Sequence, residues 1–457
     1  SRYFDMFRHF GGLPLVEQSF EAENEYEVPR ATVEETVNFM VRLLDEAKGE
    51  LPWDLTADGE SNWQGRMTQA AAMALKCKIL LFAASPLFND NEPYCTEAPQ
   101  DAVTQHLVWY GGYKPELWTQ CLDACEEFFT TLAQKGHYEL AQASGTTCDD
   151  YRNAFNKAYF TRDNTELLIS TRIIGKYNWD WWYYWGDWVP YGGYTPTLEY
   201  MEMFPMSDGT PFNFDKAVAE NKMFFEENDY NKPTRDPRLY ETILVNGAKW
   251  QGRAVELWTG GRENANSTAT ETGVYATGFG LYKFYKEGKN SLAGNYLEWP
   301  YLRLAEMYLI YAEALLKNNN PSEAIKQVDK VRARVGLKGL IESNPGKNME
   351  DLLNERACEL GLEDVRFFDM IRNKRADLFT RPLHGLLIER ADGGTGSWSD
   401  KPAADRGPFP TKFKYTQFQI SNSARSWWSN FNSKWYLAAF PVNEVNKGYG
   451  LVQNPGW

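Results

Sequence analysis

A chain of 457 residues can bury a sizeable core, either as two or three ordinary domains or as one helical-repeat domain with long insertions. Its formal net charge of −14 argues against nucleic-acid binding, which needs a basic stripe, and no apolar run reaches the length of a membrane span. Aromatic residues make up 15% of the chain, well above ordinary usage. Tyr and Trp join an apolar face to a polar tip, so the excess points to binding surface as well as core.

Ser1 to Phe10 has the pattern of an amphipathic helix interior without a cap, so the natural N-terminus is expected upstream. Thr32-Val-Glu-Glu35 is a capping box, and Val37, Met40, Val41 and Leu44 follow at helical spacing until Gly49 and Pro52 end the run. Met67 to Ala84 reads as a helix whose alanines (Ala70, Ala71, Ala72, Ala74) let a neighbour approach closely before Ser85-Pro86 stops it. A third helix is predicted over Glu116 to Lys135.

From Tyr138 to Asn295 the segments shorten and become rich in Gly, Asn, Asp and Thr. Glu166 to Ile174 and Leu239 to Val245 read as short strands, and Asn264 to Thr272 as a mobile polar loop. This stretch contains Tyr177 to Tyr194, in which ten of eighteen residues are aromatic. Trp181, Trp182, Tyr183, Tyr184 and Trp185 are consecutive, so no backbone conformation turns all five rings to a core. Such a run suits a stacking platform for a sugar or a peptide. We read Trp181, Trp182, Trp185 and Trp188 as the platform and Tyr184 and Tyr191 as its edge. Asp180 and Asp187 could accept hydroxyls, and Asn178 could both donate and accept. Second candidates are Trp250 and Trp258, which flank Arg253, and Trp427-Trp428, with Arg425 as a bidentate partner for a carboxylate.

Regular helices return at Tyr301, where Leu302, Leu304, Ala305, Tyr308, Leu309, Ala312 and Leu315 form one apolar face. Asn320-Pro-Ser-Glu323 then opens a second helix with Pro at its first position. Two helices joined this way form a tetratricopeptide-like unit, and a further pair runs from Asn348 through Met370. After Pro382 the chain is again irregular. The expected fold is mainly α, a tetratricopeptide-like scaffold (1–135 and 296–380) holding loop-rich excursions (136–295 and 381–457) with a few short strands, all in one domain over 1–457.

The densest charged segment runs from Glu355 to Arg372. Two of its carboxylates could act as acid and base in glycoside hydrolysis, but alternating signs at spacings of three and four favour salt bridges along and between helices. The short basic stretch Arg372 to Arg375 suits a helix end and needs no ligand. No nucleophile elbow, phosphate loop or dinucleotide motif is present, and we expect no enzyme. Six cysteines without a C-x-x-C pair and four scattered histidines give no zinc or redox site, leaving room for one or two disulfides. No cofactor is expected, although acidic loops would allow a structural calcium ion.

The stretch Asn354-Glu-Arg-Ala-Cys-Glu-Leu-Gly-Leu-Glu-Asp-Val-Arg-Phe-Phe-Asp-Met-Ile-Arg372 resembles the helix pair that ends the repeat scaffold of SusD/RagB-family proteins. Tyr301-Leu-Arg-Leu-Ala-Glu-Met-Tyr-Leu-Ile-Tyr-Ala-Glu-Ala314 resembles another helix of that family. Phe10-Gly-Gly-Leu-Pro14, Leu80 to Pro86, Asp236-Pro-Arg-Leu239, Pro441-Val-Asn-Glu444 and Gln453-Asn-Pro-Gly456 match it in order. The resemblance implies a non-catalytic protein, lipid-anchored on the outer surface of Bacteroidetes. It would capture oligosaccharides, or peptides in the RagB branch, and deliver them to a SusC-like TonB-dependent transporter in the outer membrane for import. It also implies a longer N-terminal segment bearing the lipidated cysteine. Ligand residues vary within the family, so the resemblance transfers no contacts.

Overall fold

The computed structural model describes residues 1–20, 27–55, 63–174, 195–227, 229–250, 252–285, 296–423 and 426–457. Helix α1 (Arg2–Phe10) has no side-chain cap and buries Phe4 and Phe7. Thr32 caps α2 (Val33–Glu50) reciprocally with Glu35, the capping box read from the sequence. In α3 (Gln69–Ala84) nearly every side chain is buried. It is the axial helix of the scaffold, packed on α2, on α4 (Glu116–Lys135) and on the later helix that starts at Leu304. Its alanines permit that crowding, and buried Lys78 is satisfied by Glu306 at 3.0 Å and the Tyr301 carbonyl at 3.1 Å. The Phe10–Pro14 turn needs its glycine, because a Cβ on Gly12 would sit 2.1 Å from the Ala31 carbonyl oxygen.

After α5 (Cys148–Phe160), strand β1 (Leu167–Ile174) pairs antiparallel with β2 (Tyr296–Arg303), Thr171 opposite Trp299 and Ile174 opposite Tyr296. The part of the first excursion that follows Ile174 therefore leaves and returns through one two-stranded ribbon. It contains α6 (Leu198–Glu202) and α7 (Pro237–Thr242). The strand expected over Leu239 to Val245 is mostly this helix: Asp236 caps it and Pro237 fills its first position, leaving only Ile243–Leu244 extended. The polar stretch from Asn264 to Thr272 is tied down rather than free. Asn264 is buried with its Nδ2 on the Leu257 carbonyl at 3.2 Å, and Thr272 Oγ1 donates to Ala269 O at 2.7 Å.

Directly after β2 come α8 (Leu304–Lys317) and α9 (Pro321–Ala333), a packed pair whose second member is capped by Asn320. α10 (Pro345–Glu359) packs on α8, and α11 (Arg366–Arg372) follows it. The main hydrophobic core runs through these helices from Phe4 to Leu437. A second core joins the two excursions: Leu198, Met201, Phe204, Trp250 and Trp258 from the first meet Leu386 and Ile388 from the second. The latter two lie on β3 (His384–Arg390), which pairs antiparallel with β4 (Phe413–Gln419). No described helix is long and apolar enough to cross a membrane.

The charged segment Glu355–Arg372 forms a buried hub, and its partners come mostly from outside its own helices. Arg303 reaches Glu359 and Glu166 at 2.6 Å each and Glu363 at 2.8 Å. Arg334 joins Glu166 at 2.9 Å and also holds Glu359. Arg238 binds Asp236 at 2.7 Å and Glu359 at 3.0 Å, Arg332 binds Glu355 at 2.9 Å, and Lys283 binds Glu363 at 2.6 Å. Five cations thus face five carboxylates with almost no solvent contact, which satisfies the charge balance that burial demands. Beside the hub, Arg372 grips Glu313 and Asp369, and only the Asp369 pair is local to its helix. All six cysteines are free, so the disulfides that the cysteine count allowed do not form.

Candidate functional site

The aromatic run, with Asn178, Asp180, Trp181, Trp182, Tyr184, Trp185, Asp187, Trp188 and Tyr191, lies outside the described residues, as does Arg425. Both of its attachment points are described. On the N-terminal side the β1–β2 ribbon is held by buried Glu298, which accepts from Arg162 at 2.5 Å and from the Ser170 hydroxyl at 3.0 Å. Half-buried Trp299 packs on Phe284 at 4.6 Å, and Phe284 on Tyr159 at 5.0 Å. Phe284 sits at φ 73°, a left-handed conformation that costs a bulky residue and is held here by packing on both sides. On the C-terminal side Thr197 caps α6, whose Leu198 and Met201 are anchored in the second core. Glu199 of α6 accepts from the His384 backbone N–H at 3.1 Å and meets its ring Nδ1 at 2.6 Å, fixing this end to β3.

Two of the second candidates are core residues. Trp250 and Trp258 are both 0% exposed. Trp250 packs edge-on against Tyr282 at 5.6 Å. Trp258 stacks on Phe413 at 5.5 Å and donates its Nε1–H to the Gly396 carbonyl at 3.0 Å. Loops of low regularity still need an apolar core, and these indoles supply it, so neither can receive a ligand. Arg253, between them, is committed to Glu263.

The pair Trp427-Trp428 divides by exposure. Trp428 is buried at 8%, whereas Trp427 is 42% exposed and contacts it at 6.4 Å. Trp427 begins an aromatic belt on the surface. Its ring meets Phe379 at 5.6 Å, Phe379 stacks nearly parallel on Phe431 at 4.9 Å, and Phe431 meets Trp435 at 6.1 Å. Lys434 places its ammonium 4.6 Å over the Trp457 ring. Trp435 is 40% and Trp457 41% exposed, so three indoles offer partly free faces beside a polar rim that includes Asn432, bonded to Glu97 at 2.8 Å. Sequence reasoning chose Trp427 and passed over Phe379, Phe431, Trp435 and Trp457. The usable signal was the spacing of four among residues 427, 431 and 435, carried here by two short 3₁₀ turns, Trp427–Asn430 and Ser433–Tyr436.

The chemistry of this surface is stacking and hydrogen bonding. The dense carboxylates of the hub are engaged by cations: burial alone would push Glu359 up, but Arg334, Arg303 and Arg238 hold its carboxyl well below the usual range. Among the described residues no group of three or more His, Cys, Asp or Glu is placed to hold a metal ion.

The family model for the SusD family matches residues 147–457. "SusD-like protein P38" of Formosa agariphila is 33% identical over 97 residues, 19% of this chain and 19% of that relative, so the aligned part spans about a fifth of its length. Among solved structures, a SusD-like protein from Bacteroides fragilis superposes with a TM-score of 0.68 at 26% identity, over 100% of this chain and 77% of its own. A SusD-like carbohydrate-binding protein from the same species shares the fold with a TM-score of 0.62 at 18% identity, over 98% and 76%. With more than half of its length matched by the model, the chain belongs to the SusD family.

Proposed function

We propose that this protein captures oligosaccharides at the cell surface without chemically altering them. The observation that carries the reading is the aromatic belt: Trp427 and Trp435 are joined through Phe379 and Phe431, Trp457 adjoins them across Lys434, and each of the three indoles is about two-fifths exposed. A pyranose has an apolar C–H face and a rim of hydroxyls, so it can cover an indole while its polar groups stay hydrated or bond to the protein. Each covered ring contributes roughly 1–3 kcal/mol, which gives modest affinity suited to capture and release. The aromatic run between residues 177 and 194 extends the same chemistry in sequence. Family membership and a carbohydrate-binding relative of the same fold support the glycan reading. On this reading the protein sits at the outer membrane through a lipid anchor and passes its ligand to a SusC-like TonB-dependent transporter for import.

The test is affinity electrophoresis across a panel of neutral polysaccharides, with peptide mixtures as control, on the wild type and on Trp427→Ala. Retardation by a glycan that is lost in Trp427→Ala with an unchanged melting temperature supports the proposal. A response to peptides alone, or release of shorter sugars from any glycan, overturns it.

A further inference from the structure

A cleft of about 120 Å³ opens between the start of α5, the turn around Tyr230 and the strand end at Lys249. We propose that it is a second saccharide subsite, one that takes a single neutral pyranose at a chain end. The inference rests on the glycan reading above but on none of the residues of the belt.

The cleft is small. Ligand sites for drug-sized molecules run to roughly 300–1,000 Å³, so this one admits one sugar ring at most. Aromatic rings in fixed positions line its walls. Phe225 stacks on Tyr240 at 5.5 Å, Tyr240 donates its hydroxyl to the Phe224 carbonyl, and Tyr282 abuts the buried Trp250. Tyr240 and Tyr282 are nearly covered, whereas Phe225 and Tyr230 are half-buried and present open ring surface. Arg152 also lines the cleft, held by its Nε on Glu241 at 2.8 Å and its Nη1 on Asp149 at 3.2 Å. Those two contacts leave its Nη2 without a protein partner among the described residues, as a fixed donor at the lining.

Charge decides the ligand class. Arg152 is paired with Glu241 and Asp149, so the two cations of the cleft, Arg152 and Lys249, are matched in number by those two carboxylates, and an anion would meet as much repulsion as attraction. A purely apolar ligand would strip water from Arg152, Asp149, Asn231 and Lys249 and return nothing. A neutral ring with one C–H face and several hydroxyls satisfies both the walls and the rim. The small volume suits the single ring at the end of a chain, while the extended belt suits its middle. One molecule would then hold a polysaccharide at two kinds of site, and the second contact is gained at high effective concentration.

A native reporter lies in the lining: of the six cysteines, Cys148 alone is not buried. Burial still pushes its thiol up to about 12, so alkylation is followed at alkaline pH. The experiment times N-ethylmaleimide modification of Cys148 by peptide mass, with D-glucose, D-galactose, D-mannose and N-acetylglucosamine as probes and sodium glucuronate and phosphate as anionic controls. At ten times its dissociation constant, a bound neutral sugar slows modification about tenfold. That protection should vanish in Tyr230→Ala and weaken in the exposed-rim variant Lys249→Ala, and should survive Trp427→Ala. Absence of protection by every neutral sugar overturns the subsite, as does equal protection by glucuronate or phosphate, or protection that persists in both cleft variants. Because Cys148 reports only on this cleft and Trp427→Ala reports only on the belt, failure of one proposal is distinguishable from failure of the other.

Discussion

The Arg303 guanidinium and the Glu359 carboxylate meet at 2.6 Å with side chains 1% and 0% exposed, and this contact bolts the ribbon that carries the first excursion to the last long helix of the scaffold. Arg303 is the final residue of β2, and Glu359 is the final residue of α10. Through Glu359 the same node reaches Arg334 at the end of α9 and Arg238 in α7. A ligand surface built on loops must be held in place by something stiff, and a balanced cluster of charges with fixed donor geometry does this where regular structure does not.

Removing one member of the hub should therefore cost far more than a surface ion pair. Glu359→Ala leaves Arg303, Arg334 and Arg238 facing one another without their common counter-charge. We expect a loss of about 3–5 kcal/mol, read as a shift of the urea midpoint. The exposed pair of Lys447 and Glu444 serves as comparison, and Lys447→Ala should leave the midpoint unchanged. A midpoint for Glu359→Ala close to that of the wild type would mean that the hub does not hold the fold.

Much of the scaffold was legible because its signals are local. Thr32 with Glu35, Asn320 with Pro321 and the alanines of α3 each declare their helix within a few residues. The hub was legible only as a preference for ion pairs. Its alternating charges suggested pairing along and between helices, but the partners Arg303, Arg334, Arg238 and Lys283 arrive from segments far away in the sequence, and no spacing rule names them. The candidate site was harder still. Trp258 and Trp427 carry the same side chain in equally irregular surroundings, and only the second core, assembled from two excursions that the helices of 296–380 separate in sequence, decides which one is covered.

That contrast is directly measurable. Trp258→Ala should cost about 3–5 kcal/mol, the usual range for emptying a large aromatic from a core. Trp427→Ala should change stability by less than about 1 kcal/mol while removing ligand-dependent fluorescence. If the two variants melted alike, the division of these indoles into core and surface would be wrong.

Gly278 marks the joint between the two excursions. It sits at φ +80°, and an added Cβ would lie 2.0 Å from the Leu386 carbonyl oxygen, on β3. Gly278→Ala is both conformationally strained and sterically blocked, so we expect a destabilisation of about 1–3 kcal/mol. Hydrogen exchange should localise the loss to β3, β4 and the residues around Trp258. The helices α3 and α8 should keep their protection. Uniform loss across the chain would show instead that the two cores unfold as one unit.

The hub also sets the response to acid. Burial opposes ionisation of Glu359, Glu363 and Asp369, yet neighbouring guanidinium and ammonium groups win and lower all three carboxyls below their ordinary values. Unfolded Glu and Asp titrate near 4.3 and 3.9, so the unfolded chain takes up protons first as pH falls. The stabilisation is complete above about pH 5 and is lost progressively as pH drops through 4 toward the lowered folded values. Glu241 and Glu263 act in the opposite sense. Burial raises both, so the folded state binds their protons first, and their contribution improves as pH falls toward the unfolded value. The three lowered carboxyls, two in the hub and Asp369 beside it, are opposed by these two, and a net decline below about pH 4 is expected in urea midpoints measured from pH 7 to 3. In Glu359→Gln, which has no carboxyl to protonate at the node, that acid limb should flatten while the neutral-pH midpoint falls. A wild-type midpoint that stays level down to pH 3, or an acid limb as steep in Glu359→Gln as in the wild type, would refute the assignment of acid sensitivity to this node.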